Sequence, residues 1–187
     1  SMKRILTLLF TLILTPFSTF AISRSDLQNN PERYVKVAEG QTDACYVDSY
    51  SIKSLRYAPP YYTIRAKVYG PDYAKNGIFE FTITCFYDYN RNSKQLMENI
   101  VAESPNKSDT NSMAKKFMSQ LNENIGIKYT MTDINCYTLD GTYVNSLRPF
   151  YNQSVVLNSN PYHAANYMFY KCYNIYFHLK FESENLY

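Results

Sequence analysis

The stretch that decides the fold is residues 61–69, with the sequence YYTIRAKVY. Apolar and polar side chains alternate along it, which is typical of a strand with one buried face and one solvated face. Residues 78–87 repeat this alternation, and the turn dipeptide Asn76-Gly77 comes directly before them. Because such a dipeptide between two alternating segments favours a hairpin, we predict that the two strands pair antiparallel.

Shorter signals extend this pair into a sheet. Segments rich in β-forming residues predict further strands at residues 34–37, 45–48 and 95–102. Later in the chain, Asp140-Gly141 predicts a second hairpin between the segments that flank it. Together with the two long strands, these segments predict an antiparallel meander.

Two segments have helical periodicity instead. In the first, Ser112 is a suitable cap, and apolar residues recur at Met113, Phe117 and Leu121. The second begins at Asn160-Pro161, and its apolar stripe is Ala165, Met168, Phe169 and Cys172. Residues 175–181 are compatible with either a strand or a helix. We therefore predict an α+β fold, an antiparallel meander sheet with two packed helices in a single domain.

The N-terminal segment has the parts of a secretory signal peptide. Lys3-Arg4 are followed by an apolar run at residues 5–17 and then by small residues. The run is shorter than the roughly 20 apolar residues that cross a bilayer. We therefore expect cleavage of residues 1–21 on export, which leaves one domain at residues 22–183, soluble in the periplasm or at the cell surface. Two short pieces are excluded from this domain as vector remnants, Ser1 and residues 184–187.

The predicted domain contains four cysteines, Cys45, Cys85, Cys136 and Cys172. An even number of cysteines behind an export signal predicts two disulfides, for which three connectivities exist. We prefer Cys45 with Cys85 and Cys136 with Cys172, because each of these pairs links neighbouring segments. None of the four lies in a Cys-x-x-Cys pair, so the spacing favours neither a zinc site nor a thioredoxin-like site.

The sequence contains no recognisable catalytic or metal-binding motif. His163 and His178 are not spaced from each other or from a cysteine as metal ligands are. A Gly-x-Ser-x-Gly motif and a phosphate-binding glycine loop are both missing from the sequence. The formal net charge of +3 is too small to indicate nucleic acid or an anionic membrane as a partner. We therefore predict a protein that is not an enzyme and that has no catalytic residue, cofactor or metal.

The strands between residues 34 and 92 carry four short motifs, YVKV at 34–37, YVDSYSI at 46–52, IRAKV at 64–68 and YDYNR at 87–91. In these motifs the chain resembles the surface-adhesin protein E family of bacterial envelope proteins. The resemblance implies a small exported domain, with an antiparallel sheet and a packed helix, that contacts host proteins at the cell surface. It also implies structural roles for Asp48, in a turn, and for Arg91, at a strand end.

The aromatic content points to a binding surface. The chain has 20 Tyr and 11 Phe but no Trp, and tyrosine favours strands and half-buried surfaces. The candidate binding residues share one side of the longest alternating strand: Tyr61, Arg65, Lys67 and Tyr69. Our first hypothesis is an exported binding module that contacts a host extracellular protein. Two alternatives stay open, a periplasmic inhibitor of a host lysozyme or protease that uses the loop at residues 103–111, and a secreted hydrolase with a scattered site.

Overall fold

The computed structural model describes residues 21–179. The predicted vector remnants and the predicted signal peptide, apart from Ala21, lie outside this range. Eight strands are present within it: β1 Tyr34–Glu39, β2 Ala44–Asp48, β3 Lys53–Ala58, β4 Tyr61–Asp72, β5 Gly77–Asp88, β6 Ile127–Thr138, β7 Tyr143–Leu147 and β8 Phe150–Ser154. The same residues contain four α-helices: α1 Arg24–Asn29, α2 Ser93–Glu103, α3 Thr110–Glu123 and α4 Asn160–Tyr173. The α+β class is therefore confirmed.

All eight strands form one open antiparallel sheet. The three 12-residue strands β4, β5 and β6 lie side by side at its centre. On the outer side of β4, β2 and β3 follow one another and both pair with it, and β1 pairs with β2. On the outer side of β6, β7 and β8 share the length of that strand in the same way. The sheet is thus a meander in which both outer positions contain interrupted strands.

Both predicted hairpins form where their turn residues lie. Strands β4 and β5 pair along their whole length, from Tyr61 opposite Asp88 to Asp72 opposite Gly77. The connection ends at Asn76, which has a positive φ of 50°, a conformation that asparagine tolerates better than most residues. The connection between β6 and β7 contains Gly141 at a φ of 93°, where a side chain would be strained.

Helices α2, α3 and α4 cover one face of the sheet, which we call the covered face. Helix α4 is capped by the Ser159 hydroxyl, which accepts a hydrogen bond from the Tyr162 N–H at 3.3 Å. Its predicted stripe is buried at Ala165, Met168 and Phe169. The Phe169 ring packs against aromatic rings of the sheet, of the turn after β5, of α4 itself and of the C-terminal segment: Tyr62, Tyr87, Tyr89, Tyr173 and Phe177.

A smaller apolar cluster lies on the opposite face, at one corner of the sheet. Helix α1 covers this corner with Leu27, and a capping box between Ser23 and Asp26 fixes its first turn. Beneath Leu27 lie mainly aromatic side chains of β1, β2, β4 and β5, namely Tyr34, Tyr46, Tyr69 and Ile78. We call the rest of this face, which no helix of the described chain covers, the open face.

Some predictions about the elements were wrong, and some elements were not predicted. Residues 95–102 are helical, because the Asn92 side chain caps α2 and Leu96 and Ile100 are buried four residues apart. Four helices are therefore present in the described range, not two. Strands β3 and β8 were not predicted. Nearly all of their side chains are exposed, so neither segment needs the alternation of apolar and polar residues by which the other strands were recognised. Up to Leu179, the segment after α4 is neither strand nor helix.

The prediction of two disulfides is also wrong, since all four cysteines are free thiols. Cys85 lies opposite Ile64 on β4, whereas Tyr46, next to Cys45, lies opposite Tyr69. Five residues of strand separate these two levels, about 16 Å, while the two Cα atoms of a disulfide lie within about 7 Å.

The second predicted pair spans the sheet in the same direction. Cys136 lies opposite Phe79, near the start of β5. Cys172 lies near the end of α4, next to Tyr173, whose ring packs against Tyr62 at the other end of the sheet. The two cysteines of each predicted pair therefore lie at different levels along the strand axes, although the segments that carry them follow one another in the sequence.

Candidate functional site

The open face carries a group of five basic side chains, which we call the basic patch: Lys53, Arg56, Arg65, Lys67 and Lys128. Strand register brings them together from β3, β4 and β6. Arg65 lies opposite Lys53 on β3 and opposite Thr84 on β5. In the next row, Thr63 lies opposite Arg56 and Phe86, and Phe86 in turn lies opposite Lys128. The patch therefore extends over four adjacent strands.

Few carboxylates neutralise this patch. Lys67 forms an ion pair with Glu80, with 3.4 Å between Nζ and Oε1. Arg56 lies over the ring of Tyr61, with its guanidinium carbon 5.8 Å from the ring centre. Lys53, Arg65 and Lys128 have no carboxylate within 4 Å in the part of the chain that the structure describes. Glu80 and Asp88 are the acidic residues of the same strand face, so positive charge prevails.

Threonine and one phenylalanine fill the space between the cations. Five half-buried threonines occupy the central strands, Thr63, Thr82, Thr84, Thr130 and Thr132. Phe86 stands among them with 44% of its surface exposed. β-Branched threonine holds a pleated sheet rigid while it presents hydroxyl groups to solvent. The surface thus presents the exposed ring of Phe86 between cations of the strands on either side of β5.

The structure brings together three of the four predicted binding residues. Tyr61 and Arg65 are exposed and Lys67 is partly exposed, all on the open face. Tyr69 belongs to the same strand but is only 5% exposed, because α1 covers it. Its ring packs edge-on against Tyr34, with 5.6 Å between the ring centres, and burial raises the pKa of its hydroxyl. Tyr69 is therefore a core residue and no part of the surface.

Sequence reasoning missed four members of this surface: Lys53, Arg56, Phe86 and Lys128. Phe86 had a usable signal, since it falls on the same side of the alternating segment as the polar residues Thr82 and Thr84. The three cations had none, because only the pairing of β3 and β6 with the central strands places them beside Arg65. The β3 pairing also contains a bulge at Leu55, which shifts its register.

A Ser–His pair lies on the covered side and bears on the hydrolase alternative. The Ser93 hydroxyl donates to Nδ1 of His178 at 2.9 Å, and Nε2 of His178 donates to the Ile125 carbonyl at 2.7 Å. Both residues are only 2% exposed, and burial lowers the pKa of His178 to about 4. The pair fixes the C-terminal segment against α2 and the start of β6, and a substrate cannot reach it.

The loop assigned to the inhibitor alternative is shorter than predicted. Helix α2 continues to Glu103 and α3 begins at Thr110, so six residues connect them. Lys107 turns back and donates through Nζ to the carbonyls of Val101 and Ala102 at the end of α2. No disulfide holds this loop, because the cysteines are free and lie elsewhere.

Asp48 and Arg91 have the structural roles that the resemblance implied. The Asp48 carboxylate accepts hydrogen bonds from the Tyr50 N–H and from two nitrogens of Arg33, at 3.0–3.2 Å. This arrangement fixes the turn after β2. Arg91 lies just after β5 and donates to the carbonyls of Gln120 and Asn124, at 2.9 Å each. Its guanidinium thus caps the C-terminal end of α3.

The cysteine thiols and the possible metal ligands of the described chain do not form a further site. Burial raises the pKa of the Cys45 and Cys85 thiols to about 12, so neither provides a thiolate near neutral pH. Among residues 21–179, no three His, Cys, Asp or Glu side chains are grouped as metal ligands. No helix in that range is long and apolar enough to cross a membrane.

Comparison with protein-family models, curated proteins and solved structures found no match to this chain.

Proposed function

We propose that this chain is an exported, non-enzymatic binding module that holds an acidic partner protein on the open face of its sheet. The observation that carries this proposal is the basic patch around Phe86. Four of its five cations have no carboxylate partner in the described structure. Like charges that lie directly opposite each other on paired strands repel, as Lys53 and Arg65 do here. An acidic surface would relieve that repulsion on binding and would gain desolvated ion pairs.

The composition of the open face favours a protein over a nucleic acid. Protein interfaces combine exposed aromatic and arginine side chains with a polar rim, as Phe86, Tyr61, Arg56 and Arg65 do here. Single-stranded nucleic acid is held by successive aromatic rings on which bases stack. In the described strands, the neighbours of Phe86 on this face are Thr63 on β4, Thr84 on β5 and Lys128 on β6, and none of the three is aromatic.

The resemblance to the protein E family and the signal-like N-terminal sequence support a location outside the cytoplasm. In this proposal the partner is therefore an extracellular host protein with an acidic surface. Specificity would come from Phe86 and Tyr61, which require a complementary apolar contact, and the cations would set the association rate. The paired strands fix the backbone from which these side chains project, so only the side chains lose conformational freedom on association.

The test measures binding of the purified protein to a panel of purified host extracellular-matrix proteins by surface plasmon resonance. The double variant Arg65→Glu/Lys128→Glu reverses two charges of the patch. The control, Lys94→Glu/Lys171→Glu, makes the same charge change on exposed lysines of α2 and α4. We expect at least one partner whose affinity falls with increasing salt, falls about tenfold or more in the first variant, and is retained in the control.

Two results would overturn the proposal. One is equal binding by the patch variant and the control variant, which would place the contact elsewhere. The other is binding of heparin or single-stranded DNA that is tighter than that of every protein on the panel. That result would assign the open face to a generic polyanion and not to a protein.

A further inference from the structure

A cavity of about 300 Å³ lies on the covered face, between the first turn of α4 and strands β2, β4, β5 and β6. We propose that this cavity binds a small hydrophobic amine, with its apolar body inside and its ammonium group at the edge. The cavity is on the opposite side of the sheet from the basic patch. It is therefore a second site, independent of the function proposed above.

The inner wall of the cavity is apolar. Phe79 and Phe81 on β5 and Met131 on β6 point toward the helices but are only partly buried. They stay partly uncovered because α4 presents small side chains above them, Pro161 and Ala164. The volume is in the range of small-molecule sites, whose walls are mainly apolar and aromatic with a few placed polar groups.

The polar groups at the edge of the cavity are mostly acidic. Asp43 and Asp72 lie opposite each other in an isolated β-bridge, and both are partly exposed. Asp72 is neutralised in part by Lys75, with 3.7 Å between Nζ and Oδ2. Asp43 accepts a hydrogen bond from the Asn160 amide at 3.3 Å and has no cation within 4 Å in the described structure. Its other carboxylate oxygen, Oδ1, lies beside Gly40 in the same turn. Asp43 therefore contributes a negative charge at the cavity edge that no lysine or arginine of the described structure neutralises.

The positive end of α4 also faces this edge and would favour an anion. Its effect is reduced, because Ser159 caps the Tyr162 N–H and Pro161 has no N–H to offer. Two carboxylates therefore outweigh a partial positive charge, and an ammonium group is the favoured partner. Beside it, the rings of Phe79 and Phe81 offer apolar contact and a weak attraction for a cation.

The test compares three probes that share an indole ring: tryptamine, tryptophol and indole-3-propionate. The chain contains no tryptophan, so the indole emission of each probe reports binding without background. We expect tryptamine to bind about tenfold or more tightly than indole-3-propionate, with tryptophol between them. Asp43→Asn should reduce the affinity for tryptamine to about that for tryptophol, and Asp109→Asn, at the start of α3, is the matched control.

The location is tested without relying on a variant. In the wild-type protein, tryptamine should shift the methyl NMR signals of Met131, Ala164 and Ile83, while those of Met97 and Met118, which lie on α2 and α3, stay in place.

As a second check, Ala164→Leu fills the cavity and should abolish binding of all three probes. Equal affinity for the amine and the propionate, unshifted methyl signals at Met131 and Ala164, or no binding of tryptamine would overturn the proposal. Arg65→Glu should leave tryptamine binding unchanged, which separates this site from the open face.

Discussion

The two faces of this sheet are made from the same strands but differ in what they contribute. On the covered face, Ile64, Ala66, Ile83 and Cys85 are almost completely buried under three helices. On the open face, the residues that alternate with them are Arg65, Lys67, Thr82 and Thr84, and no helix of the described chain covers them. The free energy of folding therefore comes mainly from one face, because apolar burial provides it. The other face is free to carry charges that do not stabilise the fold.

The largest expected effect compares one phenylalanine from each face. Phe169→Ala removes a ring that is 0% exposed and contacts five other aromatic rings. It should lower the free energy of unfolding by about 3–5 kcal/mol. Phe86→Ala, on the open face, should lower it by less than about 1 kcal/mol. Urea denaturation followed by far-UV circular dichroism measures both, and equal losses for the two variants would contradict the division between the faces.

The second prediction concerns the histidine that holds the C-terminal segment on the covered face. The pKa of His178 is about 4 in the folded protein, against 6.5 for an ordinary histidine. Between these values the unfolded chain binds more protons than the folded protein, so the free energy of unfolding falls as the pH falls from 6.5 toward 4. The full loss is about 3 kcal/mol, of which about 2 kcal/mol occurs between pH 7 and pH 5.

Denaturation midpoints measured at pH 7, 6 and 5 test this, in a range where most carboxylates remain ionised. His178→Gln removes the titrating group, so its free energy of unfolding should depend much less on pH, although it starts from a lower value. His163→Gln is the matched control and should keep the slope of the wild type. If His178→Gln keeps that slope as well, the acid sensitivity comes from another group.

The sequence contained enough information to predict the central part of the fold. Alternation in residues 61–69 and 78–87, with Asn76-Gly77 before the second segment, predicted the β4–β5 hairpin, and the structure has it. Helix α2 was not predicted from the sequence. Residues 95–102 include β-forming residues, which indicate a strand, and also Leu96 and Ile100 four positions apart, which indicate a helix, and in so short a segment the two signals compete. The deciding signal was Asn92, whose side chain caps the helix.

The candidate surfaces were less predictable, for a physical reason. Arg65 and Lys67 could be assigned to one face of a strand from local alternation, whereas Tyr69 could not be placed under α1. Its burial depends on Leu27, more than forty residues earlier in the chain. The disulfide prediction failed similarly, because it used distance along the sequence and ignored the length of the strands. Tertiary contacts between distant segments decide each of these cases.

The smallest expected effect tests whether the open face carries charge at the expense of stability. Arg65→Glu would place a carboxylate opposite Lys53 and relieve repulsion within the basic patch, so it should raise the free energy of unfolding by up to about 0.5 kcal/mol. Lys94→Glu, on α2, breaks a pair with Glu98 at 3.9 Å and should lower it by a similar amount. Both effects should shrink when the salt concentration is raised, because salt screens exposed charges. Denaturation at low and high salt measures them. A loss of stability in Arg65→Glu would mean that the basic patch stabilises the sheet. A gain would mean that the basic patch costs stability, which is expected if its cations serve to bind a partner.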